Sequence, residues 1–323
     1  MARNPTPRWL AVLIGGLVIV LTAPAASAVR PGTWEDRPPA PIRRNEASHV
    51  FVNGEFHLLG MRKQHDVYDP TTETWSRGAP LPLRVSMVQA VVLGGKIYVI
   101  GGVRRWRLPS KVSGRVQIYD PATNTWSEGA KMPRPRGAGG VAVYKGKIYY
   151  AGGIRRGGQP VPYFDVYNPA SDTWKKLPNM PVGRDHFHAA VASGAFWAIG
   201  GRRYRPNLIV NRVDRFNFRR GMWLRSKTKR PPVPTAGYAI ARYGRTLVLF
   251  GGEGGYTVKG AVQAYHTKRD RWRKFARMPH PRHGMQAAKC AGGAYIATGS
   301  TKQGNFATSI HDVFFLKTPQ PCG

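Results

Sequence analysis

Cysteine is nearly absent from this chain, which has two cysteines among 323 residues. Two thiols exclude a disulfide-dense scaffold and any metal cluster held by several thiolates. They are Cys290 and Cys322, and the second lies close to the end of the sequence. We expect one disulfide that ties the C-terminal tail to the body of the protein; two free thiols are the alternative.

Carboxylates are also scarce, since 16 Asp and Glu oppose 50 Lys and Arg, a formal net charge of +34. Such an excess predicts an anionic partner or surface, although it carries no information about the fold. The chain is 42% hydrophobic and 11% aromatic, which is too apolar for a disordered basic tail. Amphipathic helical stretches are lacking, and 38 Gly and 27 Pro indicate many short strands and turns.

Residues 1–28 have the pattern of a secretory signal peptide. Arg3 and Arg8 precede an apolar run from Leu10 to Ala23, and Ala26-Ser27-Ala28 supplies the small residues before a cleavage site. We expect cleavage after Ala28 and a secreted or periplasmic protein without a stable membrane span. An uncleaved membrane anchor is the alternative, but the apolar run is short for a bilayer core, which takes about 20 residues.

Tryptophan recurs with a period through the rest of the chain. The six positions, 41 to 51 residues apart, are Trp34, Trp75, Trp126, Trp174, Trp223 and Trp272. Five of them follow another aromatic residue by seven positions, and apolar runs that end in glycine precede them. A period of about 50 residues predicts a repeat architecture.

Each repeat predicts four short strands, as the second repeat shows. Residues 88–93 and 96–100 flank the turn Gly94-Gly95, and a two-residue glycine turn is a strong hairpin signal. Residues 116–119 lead into an Asp-Pro turn, in which Pro fixes φ and Asp bonds its own backbone. Trp126 then lies on the fourth strand.

The repeats resemble those of the kelch β-propellers. The third repeat follows the kelch signature in order, with Arg136, Gly152-Gly153, Tyr167-Asn168-Pro169, Trp174 and Met180-Pro181. The fourth and fifth repeats depart at the outer turn, with Phe216-Asn217-Phe218 and Tyr265-His266-Thr267. The first and sixth have Gly60-Met61 and Gly299-Ser300 where the others have two glycines. The resemblance covers residues 32–318 and implies an all-β, six-bladed propeller over 29–318, followed by a tail of 319–323.

The two ends of the chain predict how the ring closes. No Trp follows Gly299, and no glycine pair lies between the predicted signal peptide and Trp34. We therefore expect the strand around Trp34 to complete the last blade, which would remove exposed sheet edges. The recurrent glycines, tyrosines and tryptophans then serve the fold, through close backbone approach and through packing between blades.

Up-and-down connectivity sorts the connections onto two faces. The loop before the first strand and the loop after the second strand of each blade share one face, here called the loop face; the short turns occupy the opposite, turn face. Cations from all six blades lie on the loop face, where arginine outnumbers lysine and can bind carboxylate, sulfate or phosphate bidentately. In kelch propellers this face usually binds the ligand. The predicted ligand-binding residues are Arg84, Arg104, Arg105, Trp106, Arg136, Arg155, Arg184, Arg202, Tyr204 and Arg282.

Four of these arginines match a kelch position at the entrance of the first strand, which commonly reaches the mouth of the central channel. They are Arg84, Arg136, Arg184 and Arg282; in the first blade Arg43 and Arg44 both fit, and the fifth blade has none. Trp106 and Tyr204 would stack on sugar rings or apolar side chains. The alternative is an ordinary solvated surface of a basic protein, which the cations in the turns of blades four and five favour.

A carbohydrate-active enzyme is the alternative function, because kelch propellers include a copper radical oxidase and a sialic acid mutarotase. Tyr265-His266 falls in an outer turn, far from the channel, where a copper centre is not expected. The best acid–base candidates are His186, His188 and Glu253, and we expect one histidine in the channel wall and the other at its mouth. Nucleophile elbow, phosphate loop and zinc motifs are absent.

The sequence therefore predicts a noncovalent binding module with no catalytic residue, metal or cofactor. Its partner would be an acidic protein segment or an anionic glycan, and we expect a monomer. Nucleic acid fits the charge but does not fit an exported protein.

Overall fold

The computed structural model describes residues 32–105, 111–224, 229–304 and 306–316, together with Met1. Within these ranges thirty strands form and no helix does, so none of the described residues builds a helix that is long and apolar enough to cross a bilayer. The predicted signal peptide beyond Met1, Trp106, Cys322 and the C-terminal tail lie outside the described residues.

Six antiparallel sheets of four strands form the blades. The first blade holds β2 (Ser48–Val52), β3 (Glu55–Gly60), β4 (Arg62–Asp69) and β5 (Thr74–Gly78). The second holds β6 (Val91–Leu93), β7 (Lys96–Ile100), β10 (Val116–Asp120) and β11 (Thr125–Gly129). The third holds β12 (Gly140–Tyr144), β13 (Lys147–Ala151), β14 (Phe164–Asn168) and β15 (Thr173–Leu177).

The second half of the ring repeats this arrangement. The fourth blade holds β16 (Ala189–Ala192), β17 (Ala195–Ile199), β20 (Val213–Asn217) and β21 (Met222–Leu224). The fifth holds β22 (Ala239–Tyr243), β23 (Thr246–Phe250), β26 (Val262–His266) and β27 (Arg271–Phe275). The sixth holds β28 (Ala288–Cys290), β29 (Gly293–Ala297), β30 (His311–Phe315) and, as its outer strand, β1 (Thr33–Asp36).

Three small hairpins stand on the loop face, one each in blades two, four and five. They pair β8 (Val103–Arg105) with β9 (Lys111–Val112), β18 (Arg202–Arg203) with β19 (Arg205–Ile209), and β24 (Glu253–Gly254) with β25 (Thr257–Val258).

The ring closes as the sequence predicts. The inner strands β2, β6, β12, β16, β22 and β28 contact one another in a cycle, and β1 pairs antiparallel with β30, with Trp34 opposite Phe314. The six-bladed, all-β fold class and its closure by the N-terminal strand are thus confirmed. Since the outer strand of the last blade comes from the start of the chain, the first and last blades are held together through β1.

The aromatic–Trp spacing of seven residues is a cross-strand pair over a four-residue turn. Tyr119 lies opposite Trp126 and Tyr167 opposite Trp174, and in both pairs the ring centroids are 5.1 Å apart. All six repeated tryptophans also donate their indole N–H to a backbone carbonyl of the preceding blade, for example Trp126 to Ala79 at 2.8 Å. Each bond contributes about 1 kcal/mol to the contact between neighbouring sheets.

The double glycine is required where the second strand passes the entrance of its own blade. Gly153 has a φ of +95°, and a Cβ there would lie 2.4 Å from the carbonyl oxygen of Gly137. No other residue combines that conformation with that approach, which explains the structural role expected of these glycines.

Candidate functional site

The mouth of the central channel is closed by a ring of backbone hydrogen bonds that links all six blades. One residue per blade, two to four positions before the start of the inner strand, has a φ of +51° to +66°: Glu46, Met87, Ala138, His186, Gly237 and Gly284. The N–H of each donates to the carbonyl of its counterpart in a neighbouring blade at 2.6 to 3.0 Å, and the cycle closes from Glu46 back to Gly284. Four of the six are not glycine, and a left-handed conformation costs such a residue about 1 kcal/mol or more, which the ring of bonds offsets.

A small cavity lies beneath this ring. It measures about 20 Å³ and is bordered by Ala47, Val88, Phe187, His188 and Met285 among others, which is room for about one water molecule. Burial lowers the pKa of His188 to about 4, so its imidazole is neutral in the channel wall. A sugar ring or a peptide side chain does not fit this cavity.

The entrance arginines do not lie at the channel mouth as predicted. Arg136, Arg184 and Arg282, with Arg44 in the first blade, are fully buried inside their blades. Each forms an ion pair with an aspartate on the third strand of the same blade, such as Arg136 with Asp165 at 2.7 Å and Arg282 with Asp312 at 2.5 Å. Burial lowers the pKa of Arg184 to about 9, and its charge is maintained by Asp214. These guanidinium groups hold the blade entrance and are closed to a ligand.

A signal in the sequence could have revealed this. The aspartate stands two residues before the third-strand aromatic in four blades, at Asp66, Asp165, Asp214 and Asp312. Blades two and five have Gln117 and Gln263 there, and these two blades have Val85 and Thr235 in place of the arginine. Both glutamines accept the backbone N–H of a residue in the entrance loop, Leu83 or Val233. Arginine and aspartate therefore occur together or not at all, as expected of a buried pair.

The same comparison corrects the register of Arg84. The isolated bridges Ser86–Val103 and Gly137–Ile154 occupy matching places in blades two and three, which aligns Val85, not Arg84, with Arg136. Arg84 lies one residue earlier and is exposed. In the first blade the same alignment selects Arg44 as the buried residue and leaves Arg43 exposed.

A buried ionic network lies at the channel mouth beneath the hairpins of blades four and five. Asp185 binds His186 Nδ1, and Arg202 Nη2 lies 3.0 Å from His186 Nε2. Because an arginine only donates, His186 Nε2 is the acceptor in this contact. Arg202 also pairs with Glu253, so the predicted surface role of Arg202 is not what the structure shows: its side chain is enclosed.

This network reaches four blades. His283 Nδ1 lies 3.8 Å from Glu253 Oε2, Gln303 donates to the same oxygen at 3.3 Å, and Glu46 Oε1 lies 3.9 Å from His186 Nε2. It contains the carboxylates and imidazoles of acid–base chemistry, but its members bond chiefly to one another and are covered by the hairpins. Its clear effect is to fix the positions of β18–β19 and β24–β25 on the loop face.

The exposed part of the loop face consists of cations and aromatic rings. Arg104 and Arg155 are exposed as predicted, and Arg105 lies on β8. Tyr204 and Tyr256, at the tips of adjacent hairpins, are each 60% exposed and have φ values of +63° and +61°. Phe306 in blade six is 53% exposed. Large apolar side chains that remain uncovered on a face with this charge are typical of a binding surface.

A basic cleft opens between blades two and three on the same face. It measures about 740 Å³ and is lined by Arg104, Lys111, Val112, Arg134, Pro135, Arg155, Arg156 and Tyr163. Arg134 lies over the Tyr163 ring at 4.2 Å and pairs with Asp165. None of the other four cations has a carboxylate of the described residues within ion-pair distance. The cleft therefore presents several unneutralised charges around a space of ligand size.

Comparison with known proteins agrees with this architecture. The Kelch motif family matches residues 84–133 and 135–181, the second and third blades. The chain is a six-bladed β-propeller whose second and third blades are kelch motifs. Among its relatives, the kelch-like protein terF of Aspergillus terreus is 28% identical, over 96% of this chain and 74% of its own. Kelch-like protein 35 of Mus musculus is 30% identical over 38% of this chain.

The matched stretch covers only 21% of that mouse relative. Among solved structures, that of YjhT has a TM-score of 0.76 and 16% identity, with 85% of this chain and 95% of that chain covered, a likeness of fold. Kelch propellers generally bind protein partners.

The predicted disulfide concerns Cys290 and Cys322. Cys290 ends β28 on the turn face and is disulfide-bonded, whereas Cys322 lies outside the described residues. The pairing with Cys322 stays a prediction.

Proposed function

We propose that this kelch propeller binds an acidic protein segment noncovalently on its loop face, with the cleft between blades two and three as the anion-binding site. The observation that carries the proposal is the set of four exposed cations, Arg104, Lys111, Arg155 and Arg156, around one cleft without carboxylate partners. Guanidinium groups bind carboxylates bidentately, and Tyr163 provides an apolar ring beside them.

The geometry of the channel supports a binding module over a carbohydrate-active enzyme. The backbone ring closes the channel mouth, and the cavity below it holds about one water. The acid–base groups at Asp185, His186 and Glu253 are engaged in one buried network. An anionic glycan remains the second partner class, because exposed Tyr204 and Tyr256 can stack on sugar rings.

The proposal includes export, since residues 1–28 predict a signal peptide. Fractionation of the producing cell should find the protein outside the cytoplasm, and sequencing of its N-terminus should begin at Val29. If the protein stays in the cytoplasm with an intact N-terminus, the proposal of export is wrong. The proposal of a binding site on the loop face is tested separately.

Binding is tested with a fluorescent oligoglutamate peptide and with oligogalacturonate as the glycan probe. We expect peptide binding that weakens steeply with salt. The variant Arg104→Ala, Arg155→Ala, Arg156→Ala should bind at least about tenfold more weakly, because each exposed charge contributes up to about 1 kcal/mol. The control Arg77→Ala, Lys175→Ala, Lys176→Ala removes the same charge from the rim of blades one and three and should bind normally.

The outcomes separate the possibilities. Equal losses in the two triple variants would show that total charge, not the cleft, attracts the peptide. Binding of oligogalacturonate without binding of oligoglutamate would move the partner from protein to glycan.

A further inference from the structure

The turn face is divided by charge, and the division follows equivalent positions of the repeat. The third and fourth residues after the third-strand aromatic are neutral and small in the first three blades: Thr71-Thr72, Ala122-Thr123 and Ala170-Ser171. In blades four and five the same positions hold Arg219-Arg220 and Lys268-Arg269. If these cations only reflected a basic composition, they would not be missing from the turns of three blades and present in pairs in the turns of two neighbouring blades.

The fold does not require these cations. The outer turn is closed by the side chain of its first residue, Asp69 accepting the N–H of Thr71 at 2.7 Å and Asp120 that of Ala122 at 3.0 Å. Blades four and five close it with other first residues: Asn217 accepts from Arg220 N at 2.9 Å and His266 from Arg269 N at 3.1 Å. The charged side chains are exposed and take no part in this closure.

Hydrogen bonds join these turns into one surface. The Ser193 and Thr267 hydroxyls lie 2.8 Å apart, across the boundary of blades four and five, and Thr267 N–H donates to Arg245 at 2.9 Å. Phe218 N–H donates to Gly194 at 3.3 Å. We define the turn-face patch as the six exposed cations carried by these segments: Arg219, Arg220, Arg242, Arg245, Lys268 and Arg269.

The turn-face patch lacks counter-charges. None of its six cations has a carboxylate of the described residues within ion-pair distance. Asp270, the acid of these outer turns, binds the Tyr265 hydroxyl at 3.0 Å and the Lys229 N–H at 3.2 Å. In blade two, by contrast, Lys96 is paired with Asp120 at 2.9 Å.

Flanking cations extend the turn-face patch. Tyr144 stacks on Phe218 with centroids 3.9 Å apart, which places the exposed Lys145 and Lys147 beside blade four. On the other side, Lys289 Nζ lies 5.4 Å from the Tyr243 ring. Positive charge thus continues from the third to the sixth blade.

We infer that the turn-face patch docks on an anionic lipid bilayer. This proposal concerns the face opposite the loop face and does not depend on the proposed function. The connections that carry the patch are two- and four-residue turns, so no projecting loop separates the cations from a flat partner. A planar, laterally extended anion satisfies many such charges at once, and each cation near an anionic membrane contributes about 1 kcal/mol, or roughly fivefold in affinity.

The test is co-sedimentation of the full chain with vesicles of phosphatidylcholine, with and without phosphatidylglycerol. The difference between the two vesicles isolates the electrostatic contribution, because insertion of an apolar N-terminal segment would occur in both. The test variant replaces four cations with residues found at the same positions of blades two and three: Arg219→Ala, Arg220→Ser, Lys268→Ala and Arg269→Thr. Thermal unfolding checks that it remains folded.

We expect the unaltered protein to bind phosphatidylglycerol vesicles and the test variant to bind several-hundred-fold more weakly. The control Arg77→Ala, Lys131→Ala, Lys175→Ala, Lys176→Ala has the same net charge and should bind as the unaltered protein does. Equal losses in both variants would overturn the proposal, because they would show a nonspecific effect of net charge.

The last part of the test uses a soluble polyanion, polygalacturonate. It is included because a cleft of about 410 Å³, lined in part by Arg215, Arg219 and Arg220, borders the turn-face patch. Binding of polygalacturonate through the patch without binding of phosphatidylglycerol vesicles would replace the membrane by an anionic polysaccharide. Failure of both probes would leave the patch without a polyanion-binding role.

Discussion

At the scale of single residues, whether an arginine is buried or exposed depends on whether an aspartate faces it. Arg282 donates to the carbonyls of Ile296, Thr298 and His280 and pairs with Asp312, so its burial cost is offset by a full set of partners. Loop-face arginines such as Arg155 have no such aspartate and remain exposed. Burial therefore removes the arginines of the kelch entrance position from the surface, and the proposed site consists of other residues.

Blade six has an arginine and an aspartate at the two positions where blade five has Thr235 and Gln263. This difference predicts how substitutions at Arg282 and Asp312 change the free energy of unfolding. Arg282→Thr alone should lower the free energy of unfolding by about 3 kcal/mol, because buried Asp312 loses its guanidinium partner and keeps only the partly exposed His280, at 3.3 Å. Adding Asp312→Gln should restore most of this loss, since Thr235 and Gln263 already form this arrangement in blade five. Urea unfolding measures both; a double variant as unstable as the single one would show that the pairs are not interchangeable.

At the scale of elements, the strand β1 has a role that no other outer strand shares. Trp34 packs against Phe250 and Phe314, with centroids 5.8 and 5.2 Å away, and donates to Ala276 at 3.3 Å. It therefore contacts the fifth blade while it belongs to the sixth. Loss of another outer strand would expose one blade edge, whereas loss of β1 separates the two ends of the ring.

Trp34→Ala should accordingly cost about 3 kcal/mol, the low end for a buried tryptophan because Trp34 is half-buried. Hydrogen exchange should rise at β30, where Thr33 and Glu35 lie opposite Phe315 and Val313. The control Trp34→Phe keeps an aromatic ring and loses only the indole N–H, so it should lose about 1 kcal/mol plus the difference in area. Unchanged exchange at β30 in Trp34→Ala would mean that strand pairing, not the indole, closes the ring.

The elements also show how far the sequence predicted the structure. Strand order, blade number and closure followed from Trp spacing and glycine turns, because these patterns are local and repeat. The site depends on contacts between distant residues: Arg202 with Glu253, and the backbone ring from Glu46 to Gly284. Neither has a local signature. The burial of Arg136 did have one, the aspartate of the third strand, but it becomes visible only when the blades are compared with one another.

At the scale of the whole molecule, burial lowers the pKa of five histidines, and these are concentrated where the ring closes. Four of five lie in the first and last blades, His49, His57, His65 and His311, and the fifth, His188, lies in the channel wall. Burial lowers the pKa to about 3 for His49, His57 and His311 and to about 4 for His65 and His188, from 6.5 in the unfolded chain. All five are neutral in the folded protein at neutral pH.

The sign of the resulting pH dependence is fixed by these values. Between pH 6.5 and about 4 the unfolded chain binds more protons than the folded one, so stability is complete above pH 6.5 and falls as the pH drops. Each histidine contributes about 1.4 kcal/mol per pH unit in that window. Urea unfolding at a series of pH values should show this slope, and exchange should rise first in blades one and six.

His311→Phe isolates one of these contributions. The ring of His311 stacks on Phe56 at 5.3 Å and meets the edge of Tyr68 at 4.8 Å, so a phenyl group keeps the packing and removes the titration. The slope should decrease by one proton, while stability at pH 7 changes little. An unchanged slope in His311→Phe would mean that His311 is already accessible to protons, and that acid opens the ring elsewhere.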